Sequence, residues 1–113
     1  MSTHTNPGFF ITFEGIDGSG KSTQLRKLAQ YLEARSEPIT VTRQPGGTPI
    51  GDRIRSLLLN SSTERLAAMT ELGLMFSDRA QCVAEIIRPA LEDGRIVLCD
   101  RFALTKLAAM LPS

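Results

Sequence analysis

The sequence predicts an α/β fold in which strands and helices alternate and the strands form a parallel sheet. Short apolar runs rich in β-prone residues are separated by longer stretches whose apolar residues recur at helical spacing. Such alternation is typical of βαβ units, whose crossover connections are right-handed. The chain has 113 residues, 42% hydrophobic and 22% charged, and this size predicts one globular domain with a modest core.

The first unit begins with "FFITFE", Phe9 to Glu14, an apolar run between two glycines that predicts a buried strand. Apolar residues at helical spacing follow from Lys21 to about Arg35 and predict an amphipathic helix. Pro38 ends this pattern, because the residue before a proline is biased away from helix. "ITVTRQ", residues 39–44, then predicts a second strand.

The second half of the chain predicts a loop, two helical segments and a third strand. "PGGTP", residues 45–49, has the turn chemistry of a loop, and a short helix is expected from Gly51 to Leu59. The longest helical pattern runs from Glu64 to Leu91 and includes two residues expected to break or kink it, Gly73 and Pro89. "RIVLC", residues 95–99, predicts a buried strand that enters "DRF".

The domain prediction is a flexible leader over residues 1–8, a folded domain over 9–102 and an atypical, weakly helical tail over 103–113. No signal peptide or membrane-spanning run is recognisable. The net charge of +1, without a block of like charge, argues against nucleic acid and membrane surfaces as partners. Cys82 and Cys99 lie in apolar surroundings, which predicts buried reduced thiols and a cytoplasmic location.

"GIDGSGKST" lies between the first strand and the first helix and matches the phosphate-binding pattern G-x-x-x-x-G-K-[ST]. Backbone N–H groups of such a loop and the following helix N-terminus bind nucleotide phosphates. Lys21 is expected to reach the β- and γ-phosphates, and the Ser22 hydroxyl to ligate Mg²⁺. The predicted binding segment for the nucleotide is Gly15, Ile16, Asp17, Gly18, Ser19, Gly20, Lys21, Ser22 and Thr23.

The other two strands also end in residues that suit phosphate chemistry. Arg43 ends the second strand, and Asp100 and Arg101 follow the third. Because ligands of open parallel sheets bind outside the carboxyl ends of the strands, we expect these residues to converge. Asp100 suits Mg²⁺ binding, or else it caps a following helix. The arginines suit bidentate phosphate recognition, or else they form surface salt bridges.

Two further charged residues, Arg79 and Asp17, each allow a functional and a structural interpretation. Arg79 falls among apolar residues at helical spacing, so it needs a partner, either a carboxylate such as Asp100 or a polar or anionic ligand, and we favour the ligand. Asp17 brings a negative charge into the phosphate-binding loop. It either accepts from an acceptor hydroxyl or holds the metal, or it simply caps the loop.

Three segments together resemble the bacterial thymidylate kinases, which transfer the γ-phosphoryl group of ATP to dTMP and give dTDP. They are "FITFEGIDGSGKSTQ", "TRQPGGTPIGDRIRSLLL" and "ELGLMFSDRAQCVAEIIRPALEDGRIVLCDRF", within residues 9–102. The resemblance implies a P-loop nucleoside-monophosphate-kinase-like three-layer fold, here lacking the lid and the C-terminal strands. It also implies ATP and Mg²⁺ as cofactors and a homodimer formed through helices within residues 51–91.

The resemblance further implies roles for individual residues. Asp17 would lie by the sugar 3′-hydroxyl and the acceptor phosphate, and Arg43 and Arg101 would bind the dTMP phosphate. Asp100 would lie near the metal, and Arg79 would reach the thymine edge. The expected catalytic residues are therefore Asp17, Lys21, Arg43 and Arg101, and the expected substrate contacts are Asp17, Arg43, Met75, Phe76, Arg79 and Arg101.

This chain departs from the family pattern at three places. Gln44 stands where the family usually has glutamate. Met75 stands where a base-stacking aromatic is usual, with Phe76 one residue along, so either side chain is a candidate to cover thymine. After Phe102 the sequence leaves the pattern, so the lid arginines that neutralise the transferring phosphoryl group are expected to be missing, which predicts impaired activity.

Three alternative functions follow from these departures. Thymine selectivity depends on few residues, so the chain could be a kinase for another nucleoside monophosphate. It could also be a nucleotide-binding module that transfers nothing, or a non-functional fragment that folds poorly.

Overall fold

The computed structural model describes residues 8–15, 20–59 and 66–102. Three parallel strands form one sheet in the order β1-β3-β2, with β1 at Phe9–Gly15, β2 at Ile39–Gln44 and β3 at Ile96–Phe102. The predicted parallel α/β sheet is thereby confirmed. Most of the predicted leader and the whole predicted tail, residues 1–7 and 103–113, lie outside the described residues.

Helices connect the strands as the crossover rule requires. Helix α1 (Lys21–Ala34) joins β1 to β2, and α2 (Pro49–Leu59) and α3 (Ala68–Cys82) follow β2. A π-helical segment over Val83–Ile87 and a short helix α4 (Arg88–Glu92) continue α3 without a break and lead to β3.

The predicted helix limits need two corrections. Helix α2 begins at Pro49, two residues before the predicted start, because proline at the first helical turn needs no N–H partner. The pattern predicted from Glu64 becomes helix only at Ala68, since Ala67 has an extended backbone (φ −63°, ψ 150°). Residues 60–65 lie outside the described part, so the start at Glu64 itself is not seen.

Of the two residues expected to break or kink the long helix, only Pro89 lies next to a disturbance of the helical backbone. Gly73 lies inside α3, which is continuous through it. The backbone instead widens to π-helix over Val83–Ile87, immediately ahead of Pro89 in α4. Proline lacks the N–H for its own helical bond and crowds the preceding turn, and a π-bulge is one way a helix accommodates this.

The core lies on both faces of the central strand β3. Val97 and Leu98 are successive residues with 0% exposure, and successive strand residues point to opposite faces. Val97 packs with Cys82, Ile87 and Ala90 of the long helix. Asp100 shares the face of Leu98 and pairs with the first residue of α1, so α1 covers that face. Helix, sheet and helix therefore form three layers.

A second core cluster joins α2 to α3. Ile54 and Leu58 of α2 pack there with Met75 of α3, and all three are buried. This contact matters for the site described below, because the loop after β2 runs between these two helices.

Two simpler sequence predictions concern the cysteines and the membrane. Cys82 and Cys99 are both free and buried, as predicted. Burial raises the pKa of the Cys99 thiol to about 12, with the neighbouring Cys82 adding to the effect. In the part of the chain that the structure describes, no helix is long and apolar enough to cross a bilayer.

The central strand should dominate stability. Leu98→Ala is expected to lower the free energy of unfolding by about 2–5 kcal/mol, because it leaves a cavity in the most buried layer. The matched control Leu57→Ala removes the same atoms from a helix position that is 49% exposed, and should cost less than about 1 kcal/mol. Urea unfolding measures both. Equal losses would contradict the assignment of the core.

Candidate active site

The three strands end level with one another at one edge of the sheet. In the register of the sheet, Arg101 lies opposite Glu14 of β1 and Gln44 of β2, and Asp100 lies opposite Arg43. The sequence predicted this convergence from the positions of the strand ends alone. Residues opposite each other in a parallel sheet share a face, so Arg43 and Asp100 belong to one face and the Arg101 row to the other.

The end of β1 and the start of α1 frame the predicted phosphate-binding loop. Gly15 ends β1, and Gly20 precedes α1 with φ +86°, a backbone conformation that favours glycine. Lys21, the first residue of α1, is buried, whereas Ser22 and Thr23 are exposed. The loop interior Ile16, Asp17, Gly18 and Ser19 lies outside the described residues.

The predicted phosphate-binding lysine and the predicted metal-binding aspartate form an ion pair. Lys21 Nζ donates a hydrogen bond to Asp100 Oδ1, and the two side chains are 6% and 29% exposed. Asp100 is the last-but-two residue of β3, so the pair joins α1 to the central strand. The alternative in which Asp100 serves as the carboxylate partner of Arg79 is not what the structure shows.

Arg101 is held by both neighbouring strands. Its Nε donates to Gln44 Oε1 at 3.0 Å and its Nη1 to Glu14 Oε2 at 3.2 Å, while the guanidinium lies 5.5 Å from the centre of the Phe10 ring. Gln44, the departure from the family pattern, is 1% exposed and orients Arg101 without neutralising it. Glu14 supplies a carboxylate, but from a side chain that is largely exposed. Arg101 therefore has a fixed geometry and a charge only partly compensated.

Arg43 reaches outward from the end of β2 and is half exposed. Its Nη2 lies 3.6 Å from Asp52 Oδ1 of α2, an exposed ion pair of small energetic weight. The guanidinium lies against Gly46, because a Cβ built on Gly46 would be 2.9 Å from Arg43 Nε.

The buried face of α3 differs from the predicted apolar stripe. Helical spacing predicts a stripe through Leu72, Met75 and Phe76 that includes Arg79. Met75 is buried as predicted, but the other most buried residues of α3 are Glu71, Asp78 and Cys82. Phe76 is 60% exposed and Arg79 half-buried, whereas Met75 belongs to the core between α2 and α3. Arg79 Nε is buried with no hydrogen-bond partner in the described part of the chain.

Asp78 is the residue that the sequence reading missed. It is 1% exposed, and its Oδ1 accepts from the Gly46 N–H at 2.9 Å, so it connects α3 to the loop after β2. The available signal was its spacing: Asp78 follows Met75 by three residues and precedes Cys82 by four, which puts it on their face. Desolvation raises the pKa of Asp78 above 3.8, and this effect exceeds the opposing effects of the Gly46 N–H and Arg79.

A cavity of about 550 Å³ opens at this edge of the sheet. Its lining includes Ser22, Arg43 and Asp100, so the predicted metal ligands and one predicted phosphate ligand share one space. Leu25 and Ile86 contribute to its apolar lining. Among the described residues, no three His, Cys, Asp or Glu side chains are grouped as a metal site of their own.

The raised pKa of Asp78 predicts how stability depends on pH. Below pH 3.8 the Asp78 carboxyl is protonated in both the folded and the unfolded chain, and this neutral form resembles asparagine. As the pH rises, the unfolded chain loses this proton first, so the contribution to stability is lost as the pH passes the folded-state pKa. The native chain should therefore become less stable relative to Asp78→Asn between about pH 3 and pH 7.

Urea unfolding of both chains across this range measures the difference. Every other titrating group is common to the two chains, so only the group at position 78 contributes to a change. If the difference in unfolding free energy between the two chains stays constant with pH, this contradicts the statement that burial raises the pKa of Asp78.

Comparison with known proteins is consistent with this geometry. The family model described as thymidylate kinase matches residues 13–108, six residues beyond the end of the resemblance recognised in the sequence. The thymidylate kinase of Desulfovibrio desulfuricans is 54% identical over 99 residues, which are 88% of this chain and 46% of that protein. That of Citrifermentans bemidjiense is 56% identical over 95 residues, 84% of this chain and 42% of that protein.

A solved structure shares the fold. The crystal structure of thymidylate kinase from Ehrlichia chaffeensis superposes with a TM-score of 0.76 at 42% identity, over 85% of this chain and 54% of that one. The chain thus spans about half the length of the relatives it matches. With the family model matching most of its residues, the chain belongs to the thymidylate kinase family.

Proposed function

We propose that this chain binds ATP with Mg²⁺ and dTMP, and transfers the γ-phosphoryl group to dTMP to give dTDP. The observation that carries the proposal is the meeting of Lys21, Asp100, Arg43 and Arg101 at one edge of the sheet. Phosphoryl transfer needs alignment and charge neutralisation more than covalent chemistry, and these are the groups that provide both. The chain spans about half of the length of its relatives, so the complete reaction is a proposal.

The donor side of the proposed site uses the loop over residues 15–23 and the end of β3. Ser22 and Asp100 offer oxygen ligands to one cavity, which fits the preference of Mg²⁺ for a few protein oxygens together with phosphate oxygens. When bound, Mg²⁺ would supply charge neutralisation between the phosphates. Lys21 is the residue that would bind the β- and γ-phosphates, and its present contact with Asp100 keeps both side chains at this position.

The acceptor side of the proposed site uses Arg43 and Arg101. Each has a carboxylate neighbour that is more than half exposed, Asp52 at 3.6 Å and Glu14 at 3.2 Å. Exposed pairs of this kind are worth about 0–1 kcal/mol, so a phosphate dianion can replace them at small cost. Asp17, proposed to lie near the sugar and the acceptor phosphate, is outside the described residues.

The base would be recognised from α3. Arg79 has a buried Nε without a partner in the described part of the chain, which supports a polar ligand group such as a carbonyl of the pyrimidine edge. Phe76 lies three residues before Arg79 on the same side of the helix and is exposed, whereas Met75 is occupied by the core. We therefore propose Phe76, not Met75, as the side chain that stacks on thymine.

Homodimer formation through α2 and α3 also belongs to the proposal. Exposed apolar side chains occur on both helices, namely Ile50, Leu57, Leu59 and Met69. Their exposure supports a partner surface, as expected for an apolar patch. A cytoplasmic location is proposed from the two free, buried thiols.

Turnover by the purified chain tests the proposed reaction. With ATP, Mg²⁺ and dTMP, formation of dTDP is expected, and Lys21→Ala should lower the rate at least about a hundredfold by removing charge stabilisation in the transition state. Lys27→Ala is the matched control, since Lys27 is an exposed lysine of the same helix. A parallel assay with other nucleoside monophosphates tests thymine selectivity.

The outcomes separate the competing functions. Binding of ATP without transfer would contradict the proposed reaction and favour a nucleotide-binding module. Equal rates for the two lysine variants would show that any activity does not come from this site.

Stacking on the base is tested separately. Phe76→Ala should weaken dTMP binding by about 1–3 kcal/mol, the usual contribution of an aromatic side chain under a nucleobase, and leave ATP binding unchanged. Met69→Ala, on the same helix and 68% exposed, is the control. Calorimetric titration with each nucleotide measures the effect. Unchanged dTMP affinity in Phe76→Ala would exclude the proposed stacking.

A further inference from the structure

The loop after β2 is held by carboxylates from two different helices. Asp78 Oδ1 of α3 accepts from the Gly46 N–H at 2.9 Å, and Asp52 Oδ1 of α2 accepts from the Gly47 N–H at 3.1 Å. Arg55, also of α2, donates from Nη1 to the Pro45 carbonyl at 3.1 Å. The position of this loop relative to β2 is therefore set by side chains outside the loop.

Gly46 connects this loop to Arg43. The backbone of Gly46 has φ +113°, and a Cβ there would lie 2.9 Å from Arg43 Nε and 3.2 Å from Asp52 Oδ1. The guanidinium of Arg43 thus lies directly against the peptide whose N–H is held by Asp78. If Gly46 moved by a few tenths of an ångström, the surface that the Arg43 guanidinium contacts would move with it.

Asp78 itself is enclosed. Its side chain is 1% exposed, and a Cβ on Gly51 of α2 would lie 2.6 Å from its Oδ1. Helix α2 therefore approaches Asp78 as closely as a glycine allows, and a ligand in the cavity does not touch this carboxylate. The groups that act on its charge are Arg79, Asp52, Arg55 and the Gly46 N–H.

We propose that Asp78 is a positioning residue for Arg43, acting through the Gly46 peptide that it holds. The inference rests on the proposed function for one point, the identity of the anion that Arg43 binds, the phosphate of dTMP. Asp78 then sets affinity for the acceptor nucleotide without contacting it, and the donor side built by Lys21 and Asp100 does not depend on it.

Two variants of Asp78 test the proposal by rescue. Asp78→Ala leaves the buried Gly46 N–H without its acceptor, and the Kd for dTMP should rise about tenfold or more. Asp78→Asn retains an acceptor oxygen at the same place, and its Kd should stay within about threefold of the native value. The Kd for ATP should be unchanged in both, which a general loss of structure would not produce.

A glycine pair gives a second test in chains that keep the Asp78 side chain. Gly51→Ala places a methyl group 2.6 Å from Asp78 Oδ1, 2.8 Å from Thr48 Oγ1 and 3.0 Å from the Gly46 carbonyl oxygen. It should separate the Asp78 carboxylate from Gly46, with a comparable loss of dTMP affinity. Gly73→Ala is the matched control, because it is also helical and its Cβ would meet nothing within 4 Å. Both changes replace a helical glycine by a better helix former, so the two variants differ in the contacts that the added methyl group makes.

Amide hydrogen exchange at Gly46 tests the positioning role of Asp78 without any bound nucleotide. Exchange should accelerate at least about tenfold in Asp78→Ala and Gly51→Ala and stay near native in Asp78→Asn and Gly73→Ala, with the Arg43 Nε–H resonance shifting in the same two variants. If the native chain binds no dTMP, the proposed function fails while these two signals still decide the positioning role. Unchanged Gly46 exchange, an unmoved Arg43 resonance, or equal losses of ATP and dTMP affinity would overturn it.

Discussion

The site depends on the pairing of β3 with a parallel strand on each side. Both ladders begin level, with Ile96 opposite Phe9 and Ile39, so all three strands reach the same edge at the same height. A slip of one residue in either ladder would move every side chain to the opposite face and separate the charged groups. Apolar Val97 and Leu98 hold β3 in the centre, and the charged pair Asp100 and Arg101 follows directly from their position.

Alternation along β3 then divides the charges between two faces. Asp100 shares its face with Arg43 and meets Lys21 at the start of α1, whereas Arg101 shares the other face with Gln44 and Glu14. Asp100 and Arg101 are adjacent in the sequence but contact different groups of side chains on opposite faces of the sheet. Under the proposed function, Asp100 and Arg43 would bring a donor and an acceptor contact together on one face, while Arg101 would hold the acceptor from the other.

The sequence was sufficient for features that depend on local pattern and insufficient for those that depend on contact between distant elements. The three strands, the two ends of the phosphate-binding loop and the charged strand ends follow from period and spacing, and the structure places them nearly where they were expected. Strand β1, which was predicted to be buried, is instead largely exposed. Asp78 was missed because an aspartate beside an arginine is usually read as surface, and its burial depends on how α3 crosses Gly51 of α2. The sequence left Met75 and Phe76 as alternatives for a related reason, since a helix rotation of one residue changes which face is buried, and the structure buries Met75.

Gln44 Nε2 and Arg79 Nε are buried polar atoms that have no hydrogen-bond partner in the described part of the chain. Each such atom costs about 1–3 kcal/mol, and folded proteins contain few of them. A fold selected for stability alone would place apolar groups at the positions of these unpaired polar atoms. A polar ligand at the proposed site would supply the missing hydrogen bonds, so under the proposed function the residues that weaken the free chain would support binding.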